Sequence, residues 1–179
     1  MKPKKIAITG GPGTGKTSII SLLLEKGYTC YDEISRQVTL EARQQGIEQL
    51  FLTKPLLFSQ KLLEGRIQQF IDATNEDKAI VFLDRGIPDV LAYMDYIGDS
   101  YPEEFIEACK NHNYDSVFIL PPWEDIFTSD SERYENFSQS EIIHNHLSET
   151  YKRFGYKLLE VPLGTVQERV NFILQTLDL

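Results

Sequence analysis

Residues Gly10-Gly11-Pro12-Gly13-Thr14-Gly15-Lys16-Thr17 fit the pattern G-x-x-x-x-G-K-[ST] without a mismatch. The chemistry of such a run is phosphate binding. Its glycines let backbone N–H groups turn inward and approach phosphate oxygens closely. A helix opening directly after them adds partial positive charge at its N-terminus. Lys16 would reach the β- and γ-phosphates, and Thr17 would hold Mg²⁺. Gly11, Pro12, Gly13, Thr14, Gly15, Lys16, Thr17 and Ser18 are therefore the expected nucleoside triphosphate-binding run. The context agrees. Lys5-Ile6-Ala7-Ile8-Thr9 before it is short and β-prone, and Ser18 to Lys26 after it is an apolar helical pattern stopped at Gly27.

A second acid stands where this chemistry wants one. Ile80-Val81-Phe82-Leu83-Asp84 is four apolar residues followed by a carboxylate. An acid at the carboxyl end of a parallel strand points into the ligand crevice, where Asp84 would share Mg²⁺ with Thr17. Arg85 follows at once and could neutralise a phosphate or organise an acceptor pocket.

Three further places could do chemistry. Asp32-Glu33-Ile34-Ser35-Arg36 follows the second strand candidate. Glu33 or Asp32 could orient or deprotonate a hydroxyl, and Arg36 could bind an anionic group; a capping acid with a solvated arginine is the alternative. Gln60 falls on the Leu56, Leu63, Ile67, Phe70 face of a helix, as a satisfied interior amide or as a pocket-lining donor. Arg133 is the only Lys or Arg between Lys110 and Lys152. It lies in an irregular acidic stretch, 121–137, longer than a usual connection and readable as a lid. A lid arginine could cover charge on a transferred phosphoryl group; pairing with the acids beside it is the alternative.

The elements that must position these residues alternate. Strand candidates are 4–9, 28–32, 79–83, 116–120 and 156–161. Helix candidates are 15–26, 34–45, 54–73, 88–97, 102–112, 138–154 and 165–177. The near-continuous apolar runs suit strands covered on both faces, so an α/β sandwich with a parallel sheet is expected. Ser138 with Glu141, and Thr165 with Glu168, read as capping boxes. Ile143, Leu147, Tyr151 and Phe154 form a core stripe. Tyr93 and Tyr96 are expected to pack in the core, with walling of a pocket the alternative.

Composition narrows the function classes. The 179 residues suit one domain, 1–179, and 41% hydrophobic with 25% charged is ordinary for a globular chain. A net charge of −9 disfavours non-specific nucleic-acid binding. Lys2, Lys4 and Lys5 read as a solvated lead-in to the first strand. No apolar run approaches the ~20 residues of a membrane span, and nothing resembles a signal peptide, so a cytoplasmic location is expected. Cys30 and Cys109 lack metal-ligand spacing and are expected to be reduced, buried thiols. His144 and His146 do not share a helix face, which argues against a two-His metal clamp. No N-K-x-D signature is evident, which disfavours a Ras-like GTPase, and the chain is short for a ring-forming AAA machine.

Together, GGPGTGKTS, DEISR, FLDRGIPDVLAY, a lid containing Arg133 and VPLGTVQERV resemble the P-loop proteins similar to the kinase domain of NadR, the ribosylnicotinamide kinase. The Asp84-Arg85 pair also resembles the strand-end acid-arginine pairs of thymidylate and deoxynucleoside kinases. The resemblance implies a three-layer fold with a five-stranded parallel sheet of order 2-3-1-4-5 and a lid. It implies Mg-ATP on the P-loop, with Lys16, Thr17 and Asp84 in the roles above. It also implies that the turn Leu163-Gly164-Thr165 passes the adenine, with Arg133 as lid cation. Two functions stay open. One is an ATP-dependent kinase acting on a nucleoside-like acceptor such as nicotinamide riboside, with Lys16, Asp84, Arg133 and Glu33 as the catalytic set. The other is a nucleotide-dependent binding module whose ordered loop recruits a protein or lipid head group.

Overall fold

The computed structural model describes residues 2–47, 49–128 and 135–179. Arg133, the expected lid arginine, lies outside the described residues. The elements run β1 (Lys4–Gly10), α1 (Lys16–Glu25), β2 (Thr29–Tyr31), α2 (Ile34–Gln44), α3 (Leu50–Thr53), α4 (Pro55–Asn75) and β3 (Ile80–Asp84). They continue with α5 (Pro88–Ile97), α6 (Glu103–Asn111), β4 (Ser116–Leu120), α7 (Phe137–Arg153), β5 (Leu158–Glu160) and α8 (Val166–Thr176). All pairings are parallel, and the strand order is β2-β3-β1-β4-β5. The order and the parallel direction of pairing match the expectation.

Alternation along the strands builds the layers. On β1, Ile6 and Ile8 face one side and pack with Ile19, Leu23, Val170 and Ile173 of α1 and α8. Ala7 faces the other side, with Val81, Leu83, Val117 and Tyr151. On that side α7 adds Ile143 and Leu147 beneath Ala92 of α5. A further cluster of α2, α4, α5 and α6 residues lies outside them. The register sets Ile8 opposite Asp84 and Gly10 opposite Leu120. The P-loop therefore leaves the central strand between two flanking strand ends, at the edge where parallel sheets bind ligands.

Some local expectations are revised. Helix α7 starts at Phe137, not 138, and its capping box joins Asn136 to Gln139, not Ser138 to Glu141. An Asn side chain two residues earlier takes the N3 amide, so the helix gains its first turn sooner. The Thr165–Glu168 box on α8 is as expected. Lys5 is not a solvated lead-in: its ammonium lies 4.9 Å over the Phe70 ring, and only 8% of the residue is exposed. Its position alternates with Ile6 on a strand buried on both faces. On α4 the buried face is Ser59, Leu62, Leu63, Arg66 and Ala73. Leu56 is exposed and so falls off that face. Cys109 is buried, Cys30 half-buried, and both are free thiols.

Candidate functional site

Helix α1 begins at Lys16 on an N-cap glycine, Gly15, with φ 83° and no side-chain cap. Its first amide N–H groups are thus left for a ligand, the ordinary condition of an anion-binding helix start. The loop before it is braced from outside. The Thr14 hydroxyl donates to the Gly11 carbonyl at 2.9 Å. The Ser140 hydroxyl of α7 donates to the Pro12 carbonyl at 2.8 Å. Arg169 of α8 donates through Nη1 to the Thr14 carbonyl at 2.9 Å. A Cβ on Gly15 would stand 2.8 Å from that same Nη1, so the residue must be glycine for space as well as for its positive φ. Thr17 and Ser18 are exposed at the mouth.

Lys16 lies among carboxylates. Its ammonium is 2.6 Å from an Asp84 oxygen and 3.9 Å from Glu33. Glu33 is also paired with Arg66, at 2.9 Å, and accepts from Arg85 Nε. Arg85 Nη1 donates to the Gly10 carbonyl at 2.9 Å and to Asp89 at 3.0 Å. Its backbone takes φ 74°, a left-handed conformation costly for a residue with a Cβ. The cost is met by these bonds and by its N–H donating to the Ile8 carbonyl at 2.9 Å. The guanidinium also sits 5.4 Å over the Tyr93 ring. Tyr93 therefore walls the crevice as well as packing on the core, while Tyr96 packs against the buried cluster and the His146 ring.

Burial alone would raise the Glu33 carboxyl, but Arg85, Arg66 and Lys16 outweigh it and hold the pKa at about 2. Burial pushes Asp84 above the usual carboxylate range, against the pull of Lys16. The site thus holds an ionised Glu33 and, beside it, the buried Asp84 inside a frame of Lys16, Arg66 and Arg85.

Sequence reading brought Lys16, Glu33, Asp84 and Arg85 forward, and the fold places them together. It does not bring in every expected residue. Asp32 and Arg36 carry exposed side chains, and Asp32 meets α4 only through its carbonyl, which accepts from Gln69 Nε2 at 2.7 Å. Gln60 is half-buried on α4. Gly164 and Thr165 stand across a cavity of about 440 Å³ from Gly13, Gly15 and Ser18.

Three residues escaped. Arg66 donates to Glu33 and to the Gly86 carbonyl from within α4. Asp89, fully buried, accepts from Thr9, Arg85, the Gly86 amide and Tyr151. Arg169 is 2% exposed and lines the cavity beside Trp123. Each is a charged residue on the apolar face of its helix, and that mismatch was the available signal.

The Thr17 hydroxyl and Asp84 carboxylate are hard oxygen donors of the kind Mg²⁺ takes, one in the first turn of α1 and one at the end of β3, so the pair fits that ion. Among the described residues no cluster of three or more His, Cys, Asp or Glu forms a metal cage. Phosphate oxygens and water would complete the shell.

The AAA_28 family, described as AAA domain, matches residues 5–169. The chain belongs to this family. No curated protein matches this AAA_28 chain by sequence. Solved structures share its fold. A deoxyadenosine kinase from M. mycoides, with dCMP and a flexible dCDP bound, superposes with TM-score 0.73 at 19% identity, covering 97% of this chain and 98% of that one. NadR protein in complex with NR gives 0.77 at 17% identity, covering 99% of this chain. The AAA_28 chain spans 52% of the NadR chain. Thymidylate kinase from Candida albicans gives 0.67 at 17% identity, over 99% and 92% of the two chains. The fold of this AAA_28 protein is therefore the nucleoside and nucleotide kinase form of the P-loop fold. No helix among the described residues is long and apolar enough to cross a membrane.

Proposed function

We propose that the protein is a phosphotransferase. It moves the γ-phosphoryl group of a Mg²⁺-bound nucleoside triphosphate, ATP in the first instance, to a hydroxyl of a nucleoside-like acceptor. The observation that carries this reading is the frame of Lys16, Arg66 and Arg85 around Glu33 and Asp84, beside an uncapped helix start. Phosphoryl transfer asks a protein mainly for position and charge, and this frame supplies both.

The P-loop amides and Lys16 hold the β- and γ-phosphates. Thr17 and Asp84 would hold Mg²⁺, which would supply neutralisation of charge on the phosphate oxygens. Arg85, fixed by the Gly10 carbonyl and by Asp89, faces the anionic side of the acceptor. Glu33, kept ionised, orients Arg85 and Lys16 and accepts from the acceptor hydroxyl. Gly164 and Thr165 flank the base, and Arg133 covers the transferred group from the lid. Nicotinamide riboside is the first acceptor to try, since NadR in complex with NR shares this fold. Asp32, Arg36 and Gln60 are assigned to the rim of the acceptor pocket.

A second reading, a nucleotide-dependent binding module, has one observation in its favour. Phe127 packs so close to Gly13 that a Cβ there would collide with its ring, and the same segment brings Trp123 over Arg169. A triphosphate entering the cavity must move this segment, which is what a nucleotide-ordered surface requires.

One assay separates the two. ADP release with Mg-ATP is measured against nicotinamide riboside, nucleosides, nucleoside monophosphates and small alcohols, with Lys16→Ala as control. Stimulation by one acceptor, lost in the variant, supports the kinase. A flat panel with triphosphate binding intact moves the weight to the binding module.

A further inference from the structure

Arg169 is buried to 2% exposure, yet among the described residues only Nη1 of its guanidinium has a hydrogen-bond partner. Nε and Nη2 have no hydrogen-bond partner among the described residues. A buried charged donor left unpaired is costly, and native proteins keep such groups where a ligand completes them. These two N–H groups are the free fork of a planar guanidinium, adjacent and parallel. The side chain lines the cavity of about 440 Å³ bounded by Gly13, Gly15, Ser18, Gly164 and Thr165. P-loop residues and the turn Gly164-Thr165 line the same cavity, and Arg169 reaches the P-loop through the Thr14 carbonyl, so a base bound beside a P-loop triphosphate would meet Arg169 there.

The face of Trp123 covers the fork, with ring centroid 5.9 Å from the guanidinium carbon. Trp123 Nε1 donates to Asp125 at 3.1 Å, a bond within its own turn. The indole can therefore swing with that turn without breaking a long-range hydrogen bond. An aromatic face above a guanidinium plane is also a stacking site for a purine.

We propose that Arg169 and Trp123 form the base-reading end of the triphosphate site, and that it selects 6-oxopurines over adenine. This rests on the triphosphate reading of the P-loop given above. The base takes the place of the guanidinium against Trp123, and the freed Nε–H and Nη2–H donate to two adjacent acceptors. Guanine and hypoxanthine present O6 and N7 side by side, the pattern a guanidinium fork reads bidentately. Adenine offers N7 beside an N6 amino donor, so one arm of the fork meets a donor and stays unpaired. The donor nucleotide is then GTP or ITP in preference to ATP, while phosphate handling by Lys16 and Thr17 is the same for all three.

Trp123 is the only tryptophan of the chain, so its fluorescence reads the site directly. The experiment titrates the full chain, with Mg²⁺, using GTP, ITP, ATP and 7-deaza-GTP. Binding is followed by Trp123 fluorescence and independently by equilibrium dialysis. The expected result is quenching on binding, with GTP and ITP on the order of tenfold tighter than ATP. 7-Deaza-GTP, which lacks the N7 acceptor, falls toward ATP. Arg169→Lys keeps the charge but not the fork and should bring GTP to the ATP level. ATP binding as tightly as GTP overturns the proposal and leaves the phosphotransferase reading standing. So does 7-deaza-GTP binding as well as GTP, or dialysis-detected binding with no change in fluorescence. Failure of every triphosphate to bind overturns both readings. The wild-type series decides the question even where the lysine variant does not fold.

Discussion

The Lys16 ammonium lies 2.6 Å from an oxygen of Asp84, so the lysine of the glycine loop is held by the acid ending the neighbouring strand. Under the proposed function, an arriving triphosphate would draw Lys16 from one anion toward another and release Asp84 toward a cation of its own. The two groups would then be positioned before the ligand comes, since they are already paired.

Lys16→Ala is expected to lower turnover by at least about 10²-fold, the scale for losing one charge-stabilising group at a reacting centre. Circular dichroism should show the fold retained. Chelating Mg²⁺ should likewise stop turnover, and Asp84→Asn should raise the Mg²⁺ concentration for half-maximal rate by roughly tenfold. A variant at position 16 that turns over within a few-fold of the parent would remove the P-loop lysine from the mechanism.

Glu33 gives a pH signature. Its carboxyl is held at about 2 against an ordinary 4.5, so the folded state binds its proton less readily than the unfolded chain. Its contribution to stability is full above pH 4.5 and is lost as pH falls from 4.5 toward 2. Thermal midpoints measured from pH 7 to pH 3 should fall in the parent more than in Glu33→Gln. At pH 7 the variant itself should be weaker by about 3 kcal/mol, because Arg66 and Arg85 then lose a buried counter-charge. Equal pH slopes for parent and variant would place the acid sensitivity on another group.

Asp89 joins four parts of the chain. It accepts from Thr9 at 2.6 Å, Tyr151 at 2.5 Å, Arg85 at 3.0 Å and the Gly86 amide at 3.0 Å. Asp89→Ala should cost about 3–5 kcal/mol in denaturant unfolding, as expected for uncompensated buried partners. Tyr151→Phe removes one donor and should cost only about 1–2 kcal/mol. Similar losses for the two would mean that the hydroxyl, not the carboxylate, organises the turn.

Arg85 combines a side chain here proposed to face the acceptor with a left-handed backbone. Arg85→Gly and Arg85→Ala should both be inactive, yet the glycine variant should be the more stable by about 1 kcal/mol, since only alanine keeps the Cβ penalty. Parallel melting curves with an activity assay check this; an alanine variant as stable as the glycine one would show that the turn relaxes.

Strands, helices and the parallel sheet were readable because apolar runs and glycine turns alternate along the whole chain, whereas the strand order came only from the resemblance to NadR-like P-loop proteins. The P-loop and Asp84 were readable because their chemistry is local. Arg66, Asp89 and Arg169 were not, because each acts across a long stretch of sequence: Arg66 meets Glu33 33 residues away, and Arg169 meets Thr14 155 residues away. Helical periodicity scores such residues as flaws in an apolar stripe, and only the fold shows what they face. The short helix α3 went unseen because four residues are too few to show a period.

The placement of β1 at the centre of the sheet has a consequence for folding. The strand that leads into the glycine loop is flanked by β3 and β4, and Lys5 donates its N–H to Asp115 at 2.7 Å. Long-range loop closures must therefore precede a formed loop. The brace on the Thr14 carbonyl comes from α8, 155 residues away in sequence. A ligand that binds the loop would then favour only molecules in which β3, β4 and α8 have already docked.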